Sequence, residues 1–233
     1  VVTVKGNDFS KIQGRFDTRL SLSSANVDEV IRKRILAKTE TAMDTLRLLY
    51  DQKEAVIKNL ITFTDEVEKK LYMSRDEFAS VYPFIPYQFN LLGHVLTAIR
   101  THGASGKHLA EGERSMIALF KEAAMHYMND SEGVIVPFNI FYHALDKFID
   151  HTHRIVIKHA EENSKLKPFD VEVLKVLFMI KYVKEIKANV ENLTTLMVSK
   201  IDEDRIALRK QVEESLTQLI KQTLVQKNGE IYI

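Results

Sequence analysis

Cysteine is absent from the 233 residues of this sequence. The absence excludes disulfide bonds, thiol catalysis and cysteine-bound metals. Glycine and proline are scarce, with 8 and 4 residues, so the chain has few places at which a helix must stop. No signal peptide and no apolar run of membrane-spanning length occurs, and we expect a cytoplasmic protein without membrane contact.

The chain also lacks an excess of either charge. Its 33 basic and 32 acidic side chains give a net charge of +1, which provides no global attraction to nucleic acid or to an anionic membrane. Hydrophobic residues make up 45% of the sequence, enough for one large globular domain or two small ones. The chain begins "VVTV" and ends "GEIYI", and we expect it to be part of a longer protein.

Helical patterns dominate the first two thirds of the chain. Asn26 is the expected cap of the first helix, because Glu29 stands three residues later as in a capping box. Helical periodicity then continues over residues 41–71 with one or two breaks, and the same capping signature recurs at Ser74.

Two prolines, Pro83 and Pro86, precede a predicted helix that runs to about Arg100, because proline suits the first turn of a helix. Further helices are predicted over residues 112–128 and, as one long helix, over residues 137–163. The fold class is therefore mainly α.

The last third has its own pattern. Helices are predicted over residues 170–183, 190–198 and 203–222. Two short apolar strands then surround Asn228-Gly229, a dipeptide suited to a tight hairpin turn. Three helices followed by a hairpin predict a winged helix-turn-helix over residues 168–233.

The stretch "THGASGKHLAEGERSM" holds two competing signals. Gly106-Lys107 is reminiscent of a phosphate loop, but the first glycine of that motif would fall on Thr101 and its Ser/Thr on His108. The element before it is also a helix rather than a strand. The pattern therefore favours a glycine-containing turn between two helices.

The second half of this stretch, "EGERSMIALFKEAA", resembles the sensor-2 segment of origin-recognition AAA+ ATPases, in which such a turn opens a helix of the lid. The resemblance makes Arg114 the sensor-2 arginine, with Glu113 and Lys107 also assigned to the nucleotide site. A guanidinium carries a permanent charge and a planar fork of donors, so it suits phosphate oxygens.

The segment "GRFDTRLSLSSANVDEVIRKRIL" is similar to the second region of homology of AAA+ ATPases, in which the last strand of the core leads into the lid. "TRLSLS" alternates apolar and polar residues like a short strand. Carried over from this family, Arg15 takes the place of the arginine finger, which stabilises charge on the transferred phosphoryl group of a neighbouring subunit.

Over nearly its whole length the chain resembles the large P-loop ATPase of bacterial BREX phage-defence systems, the BrxC/PglY family, through "FSKIQGRFDTRL", "YPFIPYQFNLL" and "GASGKHLAEGERSM". The resemblance implies the end of an AAA+ core over residues 1–25, a helical lid with insertions over 26–167 and the winged helix over 168–233. It also implies ATP and magnesium in the intact protein, a homo-oligomer, and other BREX proteins and DNA as partners.

Walker A and Walker B motifs are missing, so this chain alone is not expected to hydrolyse ATP.

Two alternatives to an ATPase role remain: a structural adaptor that needs neither ATP nor DNA, and a stand-alone DNA-binding regulator. The winged helix holds ten Lys/Arg and ten Asp/Glu, which fits packing on the lid or binding to a protein partner. A stand-alone DNA-binding protein would instead use the basic residues of the last helix and hairpin, and these candidates are Arg205, Arg209, Lys210, Lys221 and Lys227. A further basic patch, residues 32–34, is expected on the solvent face of the first lid helix.

Three other constellations favour structural roles. His151, His153 and His159 lack the helical spacing that would let them chelate a metal together, and no metal site is expected. The acidic residues at 65–68 are interpreted as a solvated helix face. The aromatic segment "YPFIPYQF" is interpreted as part of the core or of a domain junction.

Overall fold

The computed structural model describes residues 24–102 and 112–233. In chain order the helices are α1 (Ser24–Val30), α2 (Glu40–Leu60), α3 (Arg75–Val81), α4 (Pro86–Thr101), α5 (Gly112–His126), α6 (Ile140–Leu145), α7 (His151–Glu162), α8 (Pro168–Ile180), α9 (Val190–Leu196) and α10 (Arg205–Lys221). A π-helical turn, Ile31–Ile35, continues α1, and a 3₁₀ turn, Asp146–Phe148, follows α6. Strands β1 (Lys227–Asn228) and β2 (Ile231–Tyr232) pair in antiparallel fashion. The predicted class, mainly α, is confirmed.

Local capping signals determine where several helices begin. The Ser74 hydroxyl accepts a hydrogen bond from the Glu77 backbone N–H at 3.1 Å, and the Glu77 carboxylate accepts one from the Met73 N–H at 2.8 Å. The first bond satisfies a donor that the first turn of α3 leaves without an intrahelical partner, and the second joins the residue before the cap to the same turn. Pro86 is the first residue of α4, as predicted. The first helix begins at Ser24, two residues before the predicted cap.

The long helix predicted over residues 41–71 ends at Leu60, so the prediction is wrong for its last part. Residues 61–74 are irregular because their polar groups bind elsewhere in the chain. The Thr64 N–H donates to the Asn192 side-chain oxygen at 3.0 Å, and the Asp65 carboxylate accepts from the Lys187 N–H at 2.8 Å. These long-range bonds replace the hydrogen bonds that a continued helix would make.

The single helix predicted over residues 137–163 is also wrong, because the chain breaks between α6 and α7. Asp150 caps α7 by accepting a hydrogen bond from the Thr152 N–H at 2.9 Å. The side chain of Asp, like those of Ser and Thr, can accept a hydrogen bond from a nearby backbone N–H, and this bond favours the start of a new helix over continuation of the previous one. Ile149, just before the cap, is buried.

Aromatic rings fill the centre of the helical bundle. Phe84, Phe120 and Phe141 are fully buried, and the Phe120 ring lies 4.9 Å from Phe84 and 5.1 Å from Phe141 between centroids. Phe89 stacks on Phe120 at 4.4 Å. Such pairs contribute about 0.5–1.5 kcal/mol beyond the area that they bury. The segment "YPFIPYQF" is therefore part of the core, as the sequence indicated.

Residues 133–138 link the C-terminal third to the helices that precede it. The Ile135 N–H donates to the Ser199 carbonyl at 3.0 Å, and the Ile201 N–H donates to the Gly133 carbonyl at 2.8 Å. The buried Gln88 side chain donates to the Val136 carbonyl at 2.6 Å. One hydrophobic cluster consequently runs from Val27 to Tyr232.

The C-terminal third contains three helices and the hairpin. Helix α10 packs against both α8 and α9. The Tyr232 N–H of β2 donates to the Ala188 carbonyl, just before α9, at 2.9 Å. Asn228 pairs with Ile231, so the turn is Gly229-Glu230, one residue later than predicted, and Gly229 adopts the positive φ of 61° that this residue tolerates.

Candidate functional site

A cavity of about 370 Å³ lies where α1, α4 and α5 meet. Val27 and Asp28 line it from α1, Met116 lines it from the start of α5, and Arg100 lines it from the end of α4. The packing of α1 and its π-helical turn against α5 brings these elements together. The start of α5 therefore faces the same space as the start of α1.

Arg114 lies in the first turn of α5 and is exposed. Within residues 24–102 and 112–233 it forms no ion pair, so its guanidinium charge is not neutralised by a described carboxylate. The N-terminal end of a helix carries backbone donors without intrahelical acceptors and a partial positive charge. Arg114 thus places an exposed guanidinium in the first turn of α5.

The other residues assigned to the nucleotide cannot be positioned in the same way. Arg15 and Lys107 lie outside the described residues, as does the whole predicted strand near Arg15. Glu113 belongs to α5, but its side chain is outside the described part of the chain.

Asp28 is a half-buried carboxyl group at the cavity. Burial raises the pKa of Asp28, and the charges of Arg32 and Lys70 oppose this rise. Sequence reasoning missed Asp28 because a single acidic residue in a helix carries no distinguishing signal.

Arg32 was expected on a solvent face, and the structure corrects this. Its guanidinium lies 5.9 Å from the centre of the Phe89 ring and 3.4 Å from the Glu77 carboxylate. The contact with a buried ring covers the side chain, as is common for arginine. Lys33 and Arg34 are exposed, and Lys33 pairs with Glu29 at 2.5 Å.

Two of the five proposed DNA-contacting residues, Arg205 and Arg209, are engaged in contacts with other residues of the chain. Arg205 donates to the Leu60 carbonyl at 2.8 Å and to the Thr195 hydroxyl at 2.9 Å, and it pairs with Glu191. Arg209 pairs with the same carboxylate of Glu191 and with Glu213. The hydrogen bond from Arg209, and then that from Arg205, lowers the pKa of Glu191. These contacts fasten α10 to α9 and to the end of α2.

The remaining three basic candidates are exposed. Lys210 and Lys221 lie on α10, and Lys227 lies on the hairpin with its ammonium 5.6 Å from the centre of the Tyr232 ring. Glu214 is exposed on the same helix. The exposed surface of α10 is therefore of mixed charge, and it lacks a continuous basic stripe.

The segment between α8 and α9, residues 181–189, is called here the α8–α9 connector. The Tyr182 ring stacks on His102, at the end of α4, with centroids 4.0 Å apart. Glu185 lies 3.4 Å from the His94 side chain of α4, and its carbonyl accepts from Lys69 at 2.6 Å. The connector therefore joins the C-terminal helices to α4 and its end, which precede α5 in the chain. Sequence reasoning missed it because its partners are distant in sequence.

The histidines of α6 and α7 point to different surroundings. His143 and His151 line a polar cavity of about 410 Å³, whereas His153 lies near Phe178 on another side of α7. His159 is exposed. Among the described residues, no group of three or more histidine, aspartate or glutamate side chains has an arrangement that would hold a metal ion.

Comparisons with known proteins give no family assignment. No family model matches the chain, and no solved structure matches it significantly. In the described ranges, every helix is too short or too polar to cross a membrane.

Proposed function

We propose that this chain is the lid and winged-helix part of an AAA+-type P-loop ATPase that acts in bacterial phage defence of the BREX type, in the cytoplasm. Its role would be to couple ATP binding and hydrolysis to assembly of a complex on DNA. The proposal rests on the resemblance carried by residues 9–36, 82–92 and 103–124. The packing of α1 against α5, with Arg114 exposed at the start of α5, supports it most directly.

In this proposal Arg114 contacts phosphate oxygens when the lid closes on the nucleotide. An exposed guanidinium without a described ion-pair partner fits that task, because its donors are available to an incoming anion. ATP and magnesium would be held mainly by Walker residues of the core, which this chain lacks. Arg15 would reach the nucleotide of a neighbouring subunit in a homo-oligomer.

The C-terminal third is proposed to be a winged helix. Its order of helix, connector, two helices and hairpin supports this interpretation, as does the backbone bond that joins β2 to Ala188 ahead of α9. The connector would carry lid movement to this module, because Tyr182 and Glu185 contact α4.

The test is ATP turnover by the intact ATPase with Arg114→Ala. Loss of a donor to developing phosphate charge is expected to lower kcat by roughly a hundredfold. Lys121→Ala is the matched control, since Lys121 is exposed on the same helix two turns further on. Turnover unchanged by Arg114→Ala, in a protein that hydrolyses ATP, would contradict the sensor assignment.

A second candidate is a winged-helix adaptor that binds a protein partner and has no ATPase role. The internal ion pairs of Arg205 and Arg209 favour it over a DNA-binding regulator, since these two cations already have carboxylate partners. Absence of ATP binding by the intact protein would favour this candidate.

A further inference from the structure

A third cavity lies beside the α8–α9 connector. Its volume is about 490 Å³, and it is bounded by α7, α8, the connector and the C-terminal hairpin. Its lining is mostly apolar and includes Val156, Leu177, Phe178, Ile186, Leu224 and Tyr232. Val156 is 45% exposed and Tyr182 is 40% exposed, so the apolar surface opens to solvent.

Basic side chains stand at the edge of this cavity. Lys181, Lys187 and His153 belong to its lining, and no side chain of the lining is a carboxylate. Within the described ranges, neither lysine ammonium forms an ion pair, and that of Lys181 lies 5.3 Å from the centre of the Tyr182 ring. An apolar interior is thus combined with uncompensated positive charge at the opening.

We propose that this cavity binds a single-chain anionic amphiphile, such as a long-chain carboxylate. The alkyl chain would displace water from the apolar walls, which is favourable in proportion to the area buried. The carboxylate would lie beside Lys187 and Lys181, where its charge is complemented. The site is independent of the proposed nucleotide site.

An acidic amphipathic helix of a partner protein would satisfy similar charge and apolar requirements. The volume favours the smaller ligand, because about 490 Å³ lies within the range of roughly 300–1,000 Å³ typical of small-molecule sites. The lining also follows the usual composition of such sites, with few polar groups among apolar ones.

The test is calorimetric titration of the full chain with dodecanoate below its micellar concentration. Dodecanoate is expected to bind, and dodecylammonium, with the same alkyl chain and opposite charge, is expected to bind at least about fivefold more weakly. Lys187→Glu is expected to raise the Kd for dodecanoate about fivefold by replacing an attraction with a repulsion. Lys184→Glu is the control, since Lys184 is exposed on the same connector and does not line the cavity.

A third variant, Val156→Asp, places a carboxylate at the cavity mouth and is also expected to weaken binding. Val156 is exposed enough for the variant to fold, which far-ultraviolet circular dichroism checks. The proposal is overturned if dodecanoate does not bind, if dodecylammonium binds equally well, or if Lys184→Glu and Lys187→Glu have equal effects. Binding of an acidic amphipathic peptide without binding of dodecanoate would overturn it in favour of a protein partner.

Discussion

At the scale of single residues, the structure depends on polar contacts between distant parts of the chain. Asp65 was expected on a solvated face, yet its carboxylate is 5% exposed, pairs with Lys69 at 3.1 Å and accepts from Asn192 at 3.1 Å. Neighbouring Glu66 and Glu68 are exposed, as expected. Sequence patterns could not separate these three acids, because Asn192 and Lys187, which also bind Asp65, lie more than a hundred positions away.

Lys175 is the most deeply buried ammonium at the polar cavity. It lies 2.8 Å from Glu172 and 3.1 Å from Glu161, and its side chain is 4% exposed. Burial alone would lower the pKa of Lys175, but the hydrogen bonds and charges of the two glutamates outweigh it and raise the pKa. The ammonium therefore remains charged and joins α7 to α8.

Replacing Lys175 by Met is expected to destabilise the protein by about 1–3 kcal/mol. Removing one member of a buried ion pair leaves the other uncompensated, and the partial exposure of both glutamates reduces the cost. Urea unfolding measures the difference. Lys158→Met, at a 70% exposed side chain on α7, is the control and is expected to change stability by less than about 0.5 kcal/mol. Equal effects of the two variants would contradict this account.

At the scale of secondary-structure elements, local signals predicted helix starts better than helix ends. Ser74 and Pro86 act within their own helices, so their roles could be read from neighbouring residues. The ends at Leu60 and Leu145 were missed, because long-range hydrogen bonds and the cap at Asp150 interrupt otherwise helical patterns.

The end of α10 carries a strained residue. Thr223 has a φ of 58°, a region that β-branched residues rarely adopt. The Leu224 N–H nevertheless donates to the Leu219 carbonyl at 3.1 Å, a bond typical of a helix end at which glycine is preferred.

Thr223→Gly is accordingly expected to stabilise the protein by roughly 1 kcal/mol, because the relief of strain exceeds the entropic cost of glycine. Thermal unfolding checks the direction through a rise in Tm. Gln222→Gly is the control and is expected to lower Tm, since Gln222 has an ordinary φ of −88°. A lower Tm for Thr223→Gly would show that the left-handed conformation is not strained.

At the scale of the whole molecule, the mainly α class followed from composition and periodicity, whereas the way the parts join did not. The 133–138 segment and the α8–α9 connector have no periodic pattern, and their contacts depend on the folded arrangement. The exposed position of Arg114 agrees with the role predicted for it, but that role remains a prediction. The sequence placed Arg205 and Arg209 on a predicted helix as two positively charged residues. It could not reveal that Glu191 is the ion-pair partner of both.

We propose that nucleotide binding at the start of α5 is coupled to the C-terminal third through the α8–α9 connector, whose Tyr182 and Glu185 contact α4 and the residue that follows it. Hydrogen–deuterium exchange of the intact protein, with and without a non-hydrolysable ATP analogue, tests this proposal. The account predicts slower exchange in the bound state both at residues 112–118 and at residues 181–189. Saturating analogue that slows exchange at residues 112–118 but not at 181–189, or at neither segment, would contradict the proposed coupling.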